Sequence, residues 1–238
     1  MHAGLPVSEE VCAMSIIRIK FEKGPQVRFI SHLDMMNSFQ RAIRRAGLEA
    51  EYSHGFNPQM QMVFGAPLSL GYTSKAEYAD LLFAQDYEAL FVETELGKQL
   101  PPGLGITKSG KRLTKKNIMA DIAFAEYEFS IKGLDDVDAP AKKIMSADAL
   151  HVEKTRKNKT KVVDIRPMIK TIDINSKKCI VLVKAGNSGN LNPRLLAMAL
   201  GKFFEREVEF RNICRISQYV ERNGELTDPL SESALETV

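Results

Sequence analysis

From residue 16 to 22 apolar and polar residues alternate: Ile17, Ile19 and Phe21 are interleaved with Arg18, Lys20 and Glu22. A period of two predicts a strand with one buried face, and Gly24-Pro25 punctuates it. From Ser31 the spacing changes to three and four. Leu33, Met36, Phe39 and Ile43 form an apolar stripe that predicts a helix. Ser31 is its N-cap, with Asp34 as the acidic partner of a capping box, and Gly47 stops it. Residues 60–70 and 77–84 read as a strand pair around the GYTS turn. Asp86 caps a second helix to about Gln99 with Tyr87, Leu90 and Phe91 inward; Pro101-Pro102-Gly103 ends it, and a strand follows near 104–107.

The second half repeats that order. Ala125, Tyr127, Phe129 and Ile131 alternate with Glu126, Glu128, Ser130 and Lys132. Asp138 and Pro140 open a helix to about Ala149, a strand region begins at 151–157, and longer strands are expected at about 167–174 and 178–184. Gly186 to Gly189 reads as a flexible turn. Asn192-Pro193 starts a helix, a capping side chain followed by proline at the first helical position, with Leu195, Leu196, Ala199, Leu200 and Phe203 as its apolar stripe. Residues 210–220 supply a closing strand. Two successive βαββαβ runs predict an α+β fold of two tandem ferredoxin-like domains, 15–107 and 123–222. Each is expected to hold its own four-stranded antiparallel sheet with both helices on one face. A basic linker, 108–122, joins them.

Composition narrows the class. The 238 residues are 44% hydrophobic and 26% charged, ordinary for a globular protein. No apolar run reaches the ~20 residues that span a bilayer, and residues 1–13 read as a loose leader without a signal-peptide pattern. The tail after Asn223 reads as frayed. Cys12, Cys179 and Cys214 are too few and too far apart for a disulfide framework or a zinc motif, which points to a reduced cytoplasmic setting and to no metal or cofactor held by the chain. The net charge is only +3, but two windows hold lysine and arginine without acid. One is Lys108, Lys111, Arg112, Lys115 and Lys116; the other is Lys154, Arg156, Lys157, Lys159 and Lys161. Clusters of this kind meet anions, so both windows are candidate nucleic-acid contacts.

Polar and special-geometry residues crowd into 28–80. Ser31 and His32 open a helix, where the dipole favours anions, and His32 titrates near neutrality. The YSHGFNP loop offers Tyr52, His54 and Asn57 on a Gly/Pro-locked turn, with Phe56 finishing the core. Arg28, Ser31, His32, His54 and Asn57 are therefore expected to converge on one ligand or phosphate site with Arg28 at its edge. Glu77 and Asp80 either orient a His or Arg or face solvent. Arg41, Arg44 and Arg45 read as a solvated helix face, and Asp164 and Arg166 as a structural ion pair.

The blocks RFISHLD, RAIRRAGL, YSHGFNP, the run from Pro67 to Asp80, VVDIRP and NPRLL resemble a radical-SAM-associated protein family of bacteria. This is a domain of unknown function that stands alone or is joined to the C-terminal end of radical SAM proteins. The resemblance implies a radical SAM enzyme as partner. The chain lacks a CxxxCxxC run, so the cluster that such chemistry needs would belong to the partner. The basic windows and the sheet-type fold point to RNA. The function expected is an RNA-binding accessory module beside a radical SAM enzyme, without catalysis of its own. One alternative is a metal-independent endoribonuclease with His32 as general acid or base, helped by Tyr52 or His54; another is a protein–protein adaptor.

Overall fold

The computed structural model describes residues 14–156, 159–175, 178–187 and 189–235. The leader and Cys12 lie outside the described residues, as does Lys157 of the second basic window. The elements of the first half are β1 (Ser15–Lys23), α1 (His32–Arg45), β2 (Met62–Phe64), β3 (Thr73–Phe83), α2 (Ala89–Gly97) and β4 (Leu104–Lys111). A short α3 (Ile118–Asp121) leads into β5 (Ile122–Lys132), α4 (Pro140–Ser146), β6 (His151–Arg156), β7 (Lys159–Asp164), β8 (Ile169–Asn175), β9 (Lys178–Lys184), α5 (Pro193–Phe203) and β10 (Glu209–Arg222). The chain closes with β11 (Glu225–Thr227) and α6 (Glu232–Leu235). No described helix is long and apolar enough to cross a membrane.

The helix boundaries follow local chemistry. Ser31 Oγ accepts from Asp34 N while the Asp34 carboxylate accepts from Ser31 N, a complete capping box. Gly47 takes the left-handed conformation, φ +68°, that ends α1. The buried stripe is Met35, Phe39, Ala42 and Ile43. Leu33, expected inside, is exposed, because the helix begins at His32 and Leu33 falls on the outer side of its first turn. Asn192 caps α5 through Arg194 N, with Pro193 in the first turn.

β1 lies between β4 and β3, with Arg18 opposite Asp80 and Lys20 opposite Lys108. The three-residue β2 pairs with the end of β3, so the first half reads β4-β1-β3-β2. β5 lies between β10 and β9, with β8 beyond, so the second half reads β10-β5-β9-β8. Counted within each half, both orders run fourth, first, third, second.

The sequence pattern predicts a separate sheet for each half; the structure joins them in one. β10 lies parallel to the start of β3, Cys214 opposite Thr73 and Arg215 opposite Ser74. One mixed, mostly antiparallel sheet therefore runs β4-β1-β3-β10-β5-β9-β8. The physical reason is the length mismatch on β3. It has eleven residues, and β2 covers Ala79 to Leu81 only. Residues 49–51 bond the edge beyond it, but the start of that edge would stand open, and an open edge invites pairing.

In the first half α1 and α2 (Val92, Leu96) cover Ile17, Ile19, Phe21, Ala79, Leu81 and Phe83. In the second, Ile144 of α4 and Leu196, Ala199 and Leu200 of α5 cover Ala125, Tyr127, Phe129 and Ile131. Each such side chain contributes about 1.5–3 kcal/mol by leaving water. The tail expected to fray is ordered instead: Leu230 is buried, Asp228 pairs with Lys20, and Leu235 O accepts from Leu113 N and Thr114 N. The stretch expected as linker begins inside β4, which runs to Lys111.

Candidate nucleic-acid interface

Two arginines fully inside the sheet organise the junction. Arg215 of β10 donates to both carboxylate oxygens of Glu77 on β3, at 3.0 and 3.1 Å, to Ala66 O at 2.8 Å and to Tyr127 OH at 3.1 Å. One side chain of the second half thus satisfies a buried carboxylate and a loop carbonyl of the first. Arg18 of β1 meets Asp80 at 2.7 Å and Asp121 at 3.5 Å, and Asp80 also receives Arg112 at 3.2 Å and Ile118 N at 2.8 Å. Arg222 closes this cluster on Asp121 at 2.7 Å. Sequence reasoning left Glu77 and Asp80 open and did not single out Arg18 or Arg215. The signal was present as one arginine inside each of the strand patterns IIRIKF and ICRISQ.

Asn192 joins the halves a second time. Its Oδ1 accepts from Arg194 N at 2.8 Å and from Tyr72 OH at 3.3 Å, while its Nδ2 donates to Ser69 Oγ at 2.7 Å. Beside this contact lies a groove of about 640 Å³, walled by the 69–72 turn on one side and the first turns of α5 on the other. Lys154 and Arg194 reach it, Tyr72, Leu70 and Met198 give it apolar surface, and no acidic residue lines it. Neither Lys154 nor Arg194 forms an ion pair among the described residues. Beyond Met198 the groove continues past Arg206, Glu207 and Glu209, so its one-sign character ends there. The Arg194 amide is taken by the cap; side-chain charge and the helix dipole give this wall its preference for anions.

The second basic window is the β6–β7 hairpin, packed on α5. It brings Lys154 to the groove, and Lys161 is exposed on its return strand. The side chains of Arg156 and Lys159 are outside the described residues. The first window has a different fate. Lys111 bonds Asp86 at 2.9 Å and Glu88 at 3.1 Å, and those hydrogen bonds raise its pKa. Arg112 is committed to Asp80. Lys108, Lys115 and Lys116 are exposed, but on the opposite face of the sheet. Ser109 donates to Ala89 O of α2, so Lys108 points away from the helices, and neighbouring Gly110 lies under Leu230 and Leu235.

Among the described residues no hydrogen bond or ring contact joins His32 to His54 or Asn57, which were expected to converge. The His32 ring stands edge-on to Phe64, 5.7 Å between centroids, and Phe64 is opposite Ala79. The loop with His54 and Asn57 springs from the Tyr52–Met60 pair, and it is Ala50, two residues before Tyr52, that pairs with Phe83 at the end of β3. Phe56, expected in the core, is wholly exposed, because Ser53 and Gln59 lock the loop by backbone bonds that need no apolar filling. Burial, with Lys23 close by, lowers the His32 pKa and keeps the ring neutral. Arg28 and Ser31 stay near His32; Arg28 stacks over Phe29 at 4.7 Å. Asp164 and Arg166, expected to pair as ions, bond backbone instead. Asp164 Oδ1 accepts from Leu150 N and Arg166 N, and the Arg166 guanidinium donates to Met145 O and Ile169 O. Among the described residues no group of His, Cys, Asp and Glu could hold a metal ion.

Comparison with known proteins places these features in a family. The model of a family described as "Uncharacterized protein conserved in bacteria (DUF2344)" matches residues 17–193, and the chain belongs to that family. The description names no partner, radical SAM or other. No curated protein matches. Among solved structures the chain is similar to one titled "Structure of H/ACA RNP bound to a substrate RNA containing 2'-deoxyuridine", with 14% identity and a TM-score of 0.43 over 91% of this chain. The chain spans about half of that one, 49% of its length.

Proposed function

For a member of this bacterial family with such a groove, we propose an RNA-binding accessory module whose α5 groove receives an RNA backbone. The observation that carries this reading is the pairing of Lys154 and Arg194, both without ion-pair partners among the described residues, across the stretch of groove that no described acid lines. Tyr72 and Met198 offer surface for a base beside the phosphates. We read the chain as two ferredoxin-like units, 15–107 and 123–222, fused through β3 and β10; the repeated strand order supports that. The groove then lies where the two units meet. The radical SAM partner rests on the sequence resemblance and is proposed with it. The endoribonuclease reading needs Tyr52 or His54 beside His32, and neither is there.

The test is fluorescence anisotropy of a labelled single-stranded RNA over a range of salt concentrations. Each phosphate neutralised contributes about 0.7 to the log–log slope. The double substitution Lys154→Gln, Arg194→Gln is expected to weaken binding and to flatten the slope by about 1.4. Incubation with labelled total RNA is expected to give retention without cleavage. An unchanged slope in the double variant overturns the reading, and so does cleavage.

A further inference from the structure

A second cavity, of about 380 Å³, opens where the end of β1, the start of β3 and β10 meet. It is separate from the α5 groove. Lys23, Arg28 and Lys75 line it against a single acid, Glu22. The deepest of these, Lys23, is 3% exposed. Its ammonium donates only to backbone, Arg28 O at 3.2 Å and Ile30 O at 3.3 Å, and meets no carboxylate within ion-pair distance among the described residues. Behind it, Glu77 is already engaged by Arg215. The buried set Lys23, Arg215 and Glu77 therefore carries one positive charge more than negative. An unbalanced buried charge is costly unless a counter-ion meets it. Burial accordingly lowers the Lys23 pKa, only partly opposed by Glu77. The fold shapes this corner deliberately. β10 carries a bulge between Arg211 and Cys214, and Asn212 inside it takes φ +53° and lines the cavity; bulges of this kind re-aim side chains next to sites.

We infer that this cavity binds a phosphate group, with Lys23 as its buried counter-ion and Arg28 and Lys75 closing over it from the rim. The three cations against Glu22 leave a surplus of two positive charges, which matches a phosphate monoester dianion better than a carboxylate. The cavity exceeds the volume of one phosphate, so the group arrives attached to something larger, either a small metabolite or the terminal phosphate of an RNA. The site bridges the two halves, since Lys23, Arg28 and Lys75 come from the first and Asn212 and Cys214 from the second.

Titration calorimetry of the full chain with inorganic phosphate, at constant ionic strength set by chloride, tests this. Wild type is expected to bind. Arg28→Gln with Lys75→Gln, both exposed and free of ion pairs among the described residues, is expected to fold normally and bind at least tenfold more weakly. Lys23→Met is expected to abolish binding; if it unfolds, the rim variant still decides. Competition with ribose 5-phosphate and with 5′-phosphorylated against 5′-hydroxyl oligoribonucleotide identifies the source, and displacement by either phosphorylated compound supports the site. The inference is overturned by absence of phosphate binding, by unchanged affinity in the rim variant, by displacement with neither compound, or by loss of phosphate binding only in the groove variant Arg194→Gln.

Discussion

The two basic windows are alike as sequence and opposite as structure. Each packs five cations into nine residues or fewer without an acid. In the first, Arg112 is fixed on Asp80 and Lys111 sits between Asp86 and Glu88, acids that arrive from twenty or more residues away. In the second, Lys154 reaches, with Arg194, the stretch of the groove that no described acid lines. Local charge density in a sequence is therefore not free charge. What decides is whether the fold brings distant carboxylates alongside, and that is set by strand register, such as Arg18 opposite Asp80.

This contrast can be broken in order of effect. The largest is expected from Asp80→Asn, which leaves Arg18, Arg112 and Ile118 N facing a neutral amide. Removing one partner of a buried ionic cluster costs about 3–5 kcal/mol, readable as a lower midpoint in urea unfolding. A midpoint left unchanged would show that neither Arg18 nor Arg112 depends on the Asp80 carboxylate. Next, Arg194→Gln alone is expected to weaken RNA binding by about 1–3 kcal/mol, the range for one charge-assisted contact, with the unfolding midpoint unmoved. Smaller still, Lys115→Gln with Lys116→Gln is expected to alter neither RNA affinity nor its salt slope, and to change stability by less than about 0.5 kcal/mol. A drop in affinity there would place RNA on the opposite face of the sheet.

The smallest effect concerns pH. The His32 pKa is lowered in the folded chain by burial and by Lys23. Protonation therefore favours the unfolded chain. The stability contributed by neutral His32 is complete above the unfolded value of about 6.5 and declines as pH falls below it. His32→Gln is expected to flatten the dependence of the unfolding midpoint on pH below about 6.5. An unchanged profile would show a ring protonated as easily in the folded chain as outside it.

Local features were legible in the sequence to the extent that they are local. The Ser31 capping box, the Gly47 stop, the Asn192-Pro193 helix start and the inward set Ala125, Tyr127, Phe129 and Ile131 all follow from neighbours within a few residues. The strand order within each half follows from the repeated succession of elements. Three things were not legible, and each is a long-range pairing. The open edge of β3 is filled by β10. The tail after Asn223 reads as polar, yet Leu230 finishes a core and Asp228 meets Lys20. His32 and His54 are 22 positions apart, yet no contact joins them among the described residues: His32 stands against Phe64, opposite Ala79 within β3, while the chain returns from α1 at Ala50, opposite Phe83 at the end of that strand. Turn chemistry fixes the shape of each loop; it carries no information about which end of the sheet the loop occupies.

The bond between Glu77 and Arg215 also sets an order of events. The two residues are 138 positions apart, so during synthesis Glu77 emerges long before its partner exists. Until β10 arrives, the first half holds a carboxylate without the arginine that bonds it and an unpaired stretch of β3 edge. Closing so long a loop adds little entropy beyond a shorter one, because that term grows only with the logarithm of length, but it delays the contact until β10 has been made. An exposed strand edge of this kind invites wrong pairing, and the emergence of β10 is the moment at which this part of the sheet can be completed.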